Sequence, residues 1–62
     1  MKWWIVIVTH STSGAYLGYE ILKAESRFLA GKHAVEKLED KSTGWLIAHA
    51  IFGPFNHEPK TG

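Results

Sequence analysis

Four histidines are the side chains of this sequence most able to do chemistry. His10 and His49 fall in segments that read as strands, and they would approach each other if those strands pair. Two imidazoles without a carboxylate or a third ligand at fixed spacing are a weak metal signal, because protein zinc sites use three or four ligands. His33 and His57 add no such spacing. The sequence therefore predicts no metal and no cofactor, with a small enzyme or subunit using a His-containing site as an alternative.

Hydroxyl and carboxylate groups offer two further catalytic patterns. Thr9, His10 and Ser11 place hydroxyls beside an imidazole, but nucleophilic catalysis also needs an orienting third group and a pocket. The acids of the helix are interleaved with lysines, which is typical of a solvated helix face; the residues are Glu36, Glu39 and Asp40 with Lys32, Lys37 and Lys41. We expect no catalytic residues, and we predict that the chain is not an enzyme.

Aromatic rings could stack on nucleotide bases, as they do in sheet-based RNA-binding folds. Candidate rings are Trp3, Trp4, Tyr16 and Trp45. Such binding also needs a basic surround, whereas seven Lys and Arg are mixed with six acids and the formal net charge is +1. A single-stranded nucleic-acid binder stays an alternative, and nucleic acid is an unlikely partner.

Length and composition limit the architecture. A chain of 62 residues forms one core and buries only about 60% of the surface that it exposes when unfolded. Without cysteine, no disulfide or thiolate metal site can add stability, so oligomerisation is the remaining support. We predict one domain over residues 1–55 and a polar tail over 56–62. A cytoplasmic location is expected because the apolar run 3–8 is too short for a signal peptide and is followed by no small-residue cleavage site. No membrane contact is expected, because no apolar run approaches about 20 residues.

Two strands are predicted before the helix. Residues 3–8 are apolar without interruption, which is typical of a strand buried on both faces and places it at the sheet centre. The turn residues 11–14, Ser-Thr-Ser-Gly, predict an antiparallel return from Ala15. Over residues 16–23 apolar positions alternate, which indicates an edge strand with one wetter face.

A helix and a third strand follow. Ser26 is a good N-cap for a helix over residues 27–40, with an apolar stripe of Phe28, Gly31, Val35 and Leu38 widened by Ala30 and Ala34. Residues 45–52 predict a third strand that ends at Gly53-Pro54. A right-handed crossover places this strand beyond the first. The predicted fold is α+β, ββαβ, with a three-stranded antiparallel-type sheet of order 2-1-3 and one helix on one face.

One helix can cover only one of the two sheet faces. A four-residue turn would place the even-numbered residues of the first strand, Trp4, Val6 and Val8, on the face of Leu17, Tyr19 and Ile21. A three-residue turn would place the odd-numbered Trp3, Ile5 and Ile7 there. Either register leaves a tryptophan and two β-branched side chains uncovered, unless the segment 55–59 folds over them.

An exposed apolar patch of this kind tends to mark an interaction site. The third strand adds apolar residues beside the first strand on the uncovered face. The candidate interface residues are Trp3, Trp4, Ile5, Ile7, Trp45, Ile47 and Ile51.

Three segments carry a resemblance to a group of known proteins. They are residues 19–26 (Tyr-Glu-Ile-Leu-Lys-Ala-Glu-Ser), the alanines Ala30 and Ala34, and Gly53-Pro54-Phe55. The layout resembles small proteins of actinobacteria and their phages, in which a strand ends in an Ala-x-Ser helix entry and a later strand closes on Gly-Pro-Phe. The resemblance brings no activity or site residues, but it implies a short protein that binds and redirects a host protein.

Together these patterns favour a small protein-interaction module. We expect it to bind itself, as a homodimer, or a host protein through the uncovered sheet face.

Overall fold

The computed structural model describes residues 1–38 and 46–60. Its elements follow in the order β1 (Lys2–His10), β2 (Tyr16–Ala24), α1 (Arg27–Leu38) and β3 (Leu46–Phe55). The sheet order is β2-β1-β3, and both outer strands are antiparallel to β1. The predicted α+β, ββαβ fold with its 2-1-3 sheet is confirmed. The uninterrupted apolar strand lies at the centre of the sheet, as predicted. It is fully buried on one face only, because the even-numbered side chains from Trp4 to Val8 are buried whereas Trp3, Ile5 and Ile7 are partly exposed.

The turn between β1 and β2 combines features of both predicted registers. His10 N–H donates to the Ala15 carbonyl at 2.9 Å, and Gly14 N–H donates to the His10 carbonyl at 2.8 Å, so residues 11–14 form a four-residue turn. Beyond it Leu17 is an extra residue, since Thr9 pairs with Tyr16 but Val8 pairs with Gly18.

This β-bulge reverses which residues share a face, because side chains alternate along a strand and one extra residue shifts the alternation. Ile7 therefore pairs with Tyr19 and Ile5 with Ile21. The turn therefore has four residues, but the odd-numbered side chains of β1 share a face with Tyr19 and Ile21, as predicted for a three-residue turn.

α1 begins at its predicted cap, where Ser26 Oγ accepts a hydrogen bond from Leu29 N–H at 3.2 Å. The helix ends at Leu38, and the predicted continuation over residues 39–40 lies outside the described residues. The predicted apolar stripe is wrong in one respect, because Phe28 is 76% exposed. The buried residues of α1 are Ala30, Gly31 and Ala34.

Small side chains let α1 pack closely on the sheet. A Cβ at Gly31 would lie 3.0 Å from Ile51 Cδ1 and 3.2 Å from Ala48 Cβ. A larger side chain at this position would hold the helix away from β3. Close packing therefore explains a glycine that costs roughly 1 kcal/mol of helix propensity.

The core lies between α1 and the even-numbered side chains of β1. Val6 and Val8 are completely buried, and the indole N–H of Trp4 donates to the Ala24 carbonyl at 3.0 Å. The buried apolar residues are Trp4, Val6, Val8, Leu22, Ala24, Ala30 and Ala34. We call this the covered face of the sheet.

β3 is longer and less regular than predicted. It passes through Gly53-Pro54, which has a cis peptide bond, and resumes pairing where Phe55 lies opposite Trp3. The predicted end at Gly53 is wrong because a bulge takes up the extra residue between Phe52 and Phe55 without ending the strand. Among the described residues no helix is long and apolar enough to cross a membrane.

Candidate protein-interaction surface

The sheet face opposite α1 is built from side chains that pair row by row across the three strands. Each row has a β1 residue in the middle, because both neighbouring strands pair with β1. We call this surface the open face. Its residues are Trp3, Ile5, Ile7 and Thr9 of β1, Tyr16, Tyr19, Ile21 and Lys23 of β2, and Ile47, Ala50, Phe52 and Phe55 of β3.

Four of the predicted interface residues lie on the open face, namely Trp3, Ile5, Ile7 and Ile47. Trp4 does not, because it is buried beneath α1 as part of the covered face. Trp45 lies outside the described residues.

Ile51 is also placed on the covered face, where it packs against the core. The cause is a third bulge, at His49 in β3. Ile7 pairs with Ala50 and Val8 pairs with Ala48, so His49 is an extra residue that reverses the alternation along β3. Ile47 and Ile51 therefore point to opposite faces, although their even spacing predicted a single face.

The same bulge hides an aromatic residue from sequence reasoning. The odd spacing of Phe52 from Ile47 would place the two side chains on opposite faces of a regular strand, but Phe52 lies on the open face opposite Ile5 and is 52% exposed. Tyr19 and Ile21 also lie on the open face but are not among the predicted interface residues. The sequence signal that marks them is the regular alternation over residues 16–23.

Lys23 is the single charged residue of the open face. Its Nζ lies 5.1 Å from the centroid of the Trp3 ring. A cation–π contact at an exposed site contributes about 0.5–1 kcal/mol. Lys23 lies in the row of Trp3, at one end of the open face. The remaining rows of the open face carry no charged side chain.

The dimensions of the open face follow from its strands, which have nine or ten residues each. At about 3.3 Å per residue and about 4.8 Å between strands, the face measures roughly 30 by 14 Å, or about 400 Å² in projection.

The segment after β3 borders the open face at one end. Lys2 Nζ donates a hydrogen bond to Asn56 Oδ1, and Glu58 lines the same groove as Trp3. The centre of the face stays accessible, because Tyr19 and Phe52 are exposed. The predicted alternative, in which residues 55–59 fold over part of the patch, therefore concerns only the end of the open face at which Trp3 lies.

A shallow groove of about 640 Å³ runs beside β2, between α1 and that end of the open face. Its ionisable residues are two lysines, two glutamates and one histidine, so its formal charge favours neither an anion nor a cation. The lining residues are Trp3, Ile21, Leu22, Lys23, His33, Glu36, Lys37 and Glu58.

The histidines are not gathered into a ligand set in the part of the chain that the structure describes. His10 Nδ1 lies 2.8 Å from Thr12 Oγ1, within the turn. His49 is exposed at the bulge of β3. Within residues 1–38 and 46–60, no group of three or more His, Asp or Glu residues is placed to hold a metal ion.

Comparison of the chain with protein-family models, with curated proteins and with solved structures gives no match.

Proposed function

We propose that this chain is a small protein-interaction module that binds its partner through the open face. The observation that supports the proposal is a continuous apolar surface on the side of the sheet opposite α1, with Phe52 and Tyr19 exposed near its middle. Apolar patches of several hundred Å² on small proteins are often functional. Burial of such a patch is favourable by roughly 25 cal/mol per Å² of apolar area removed from water.

Charge favours a protein partner over a nucleic acid. Lys23 is the single basic residue of the open face, and its ammonium group already lies near the Trp3 ring. Tight binding of single strands combines stacking rings with a positively charged groove, since phosphate contacts supply much of the affinity. The open face carries several aromatic rings and one lysine, so it has the stacking groups without the positive charge.

A photo-reactive phenylalanine analogue tests this proposal in the native cells of the protein. We expect protein adducts when the analogue replaces Phe52, because that side chain lies in the proposed contact. The matched control places it at Phe28, an exposed phenylalanine of α1 that is on neither sheet face. Mass spectrometry of the adducts shows whether the captured protein is a second copy of the chain or another protein.

Equal capture at the two positions, or capture confined to Phe28, would contradict the proposal. A host protein attached at Phe52 would support the redirecting role that the phage-like layout implies.

A further inference from the structure

We infer that the occupant of the open face is a second copy of this chain, stacked face to face across a two-fold axis. This inference rests on the proposed function and names its partner. Its first support is the small core, in which Val6 and Val8 are the largest completely buried side chains. A core of that size in a domain without disulfides gains from oligomerisation, and a second copy is available to every molecule.

The second support is that the open face is complementary to itself. Two sheets that pack face to face lie about 10 Å apart with their strands nearly aligned, so identical sheets of equal size cover each other fully. The two-fold axis of such a dimer lies in the plane of the interface, either along the strands or across them.

Both axes bring Lys23 onto an aromatic residue of the partner copy. With the axis along the strands, β2 of one copy faces β3 of the other. Lys23 then lies opposite Phe55, because both residues pair with Trp3 and therefore lie in the same row. With the axis across the strands, the two copies of β2 face each other and run in opposite directions. Lys23 then lies opposite Tyr16, which pairs with Thr9 at the other end of the open face.

Neither arrangement brings the two lysines together. With the axis along the strands they are two strand spacings apart, about 10 Å, which exceeds the Debye length of about 8 Å at physiological ionic strength. The single charge of the open face therefore adds cation–π contacts to the dimer and little repulsion.

The area sets the strength of the contact. A projected face of about 400 Å² per copy is about half of the roughly 800 Å² per partner that stable interfaces bury, which is in the range of weak and transient complexes. We therefore expect weak, reversible association.

Sedimentation velocity of the purified chain, from low micromolar to near-millimolar concentration, tests the inference. We expect the wild type to pass from monomer to dimer. Phe52→Ser should raise the dissociation constant by about tenfold or more, because a two-fold interface loses the ring twice. Phe28→Ser is the matched control and should leave the constant unchanged.

Circular dichroism reports whether each variant is folded, and Ile47→Ser on the same face replaces Phe52→Ser if that variant unfolds. A wild type that stays monomeric at the highest concentration overturns the second copy as partner, while adducts at Phe52 in cells would still support the proposed function. A dimer weakened by Phe28→Ser and not by either open-face variant overturns both.

Discussion

Trp4→Ala is expected to unfold the chain at room temperature. The Trp4 side chain is buried beneath α1, and its indole N–H is bonded to the Ala24 carbonyl. Truncation of a buried tryptophan to alanine costs about 3–5 kcal/mol. A single core in a domain of this size rarely supplies more than about 3–5 kcal/mol in total. Circular dichroism and urea denaturation at one fixed protein concentration measure the loss.

The neighbouring tryptophan provides the control. Trp3 is on the open face and only partly buried, so Trp3→Ala should leave a folded chain. Trp4→Phe separates packing from hydrogen bonding, because it keeps most of the buried ring and leaves the Ala24 carbonyl without its indole donor, at a cost of about 1–3 kcal/mol. A loss from Trp3→Ala as large as that from Trp4→Ala would show that the two faces are assigned the wrong way round.

Gly53→Ala is expected to lower the free energy of unfolding by about 2–4 kcal/mol, through backbone strain and overpacking together. Gly53 has a φ of +141°, which L-residues rarely adopt. A Cβ at this position would also lie 2.9 Å from both the Trp3 carbonyl oxygen and Trp4 Cε3. Neither the backbone of β1 nor the buried ring can move aside without disturbing the core. Urea denaturation of the purified variant gives the value.

Gly14→Ala is the matched control for this prediction. Gly14 also has a positive φ, +73°, but nothing lies within 4 Å of an added Cβ. It should therefore lose about 1 kcal/mol for backbone conformation alone. Equal losses at the two glycines would mean that the close approach of β3 to Trp3 and Trp4 is absent in solution.

Much of the fold follows from local patterns in the sequence. The unbroken apolar run of β1 predicts the central strand, and Ser26 predicts the start of α1 because its hydroxyl can accept an early helix N–H. The right-handed crossover from β2 through α1 to β3 then predicts the strand order β2-β1-β3. A helix and three strands are enough to predict that one sheet face has no cover.

The membership of that face could not be predicted in the same way. Each bulge adds one residue to a strand and reverses every side chain beyond it, and nothing in the alternation around Leu17 or His49 announces the extra residue. Ile51 packs on the covered face and Phe52 on the open one, although the simple alternation predicts the reverse.

The position of Phe28 has a related cause. Helical spacing identifies a stripe that includes it, but the sheet accepts only small side chains at the line of closest approach, which runs through Ala30, Gly31 and Ala34. Periodicity marks apolar positions, whereas packing distance decides which of them are buried. Phe28 is therefore left exposed on α1.

An isotope-filtered NOE experiment tests the central claim most directly. Equal amounts of ¹³C-labelled and unlabelled chain are mixed at near-millimolar concentration, and NOEs between labelled and unlabelled copies are recorded. The account predicts intermolecular NOEs from the methyl groups of Ile5, Ile7 and Ile21 on the open face, and none from Val6 or Val8 on the covered face. Intermolecular NOEs confined to residues of α1, or none at that concentration, would contradict self-association through the open face.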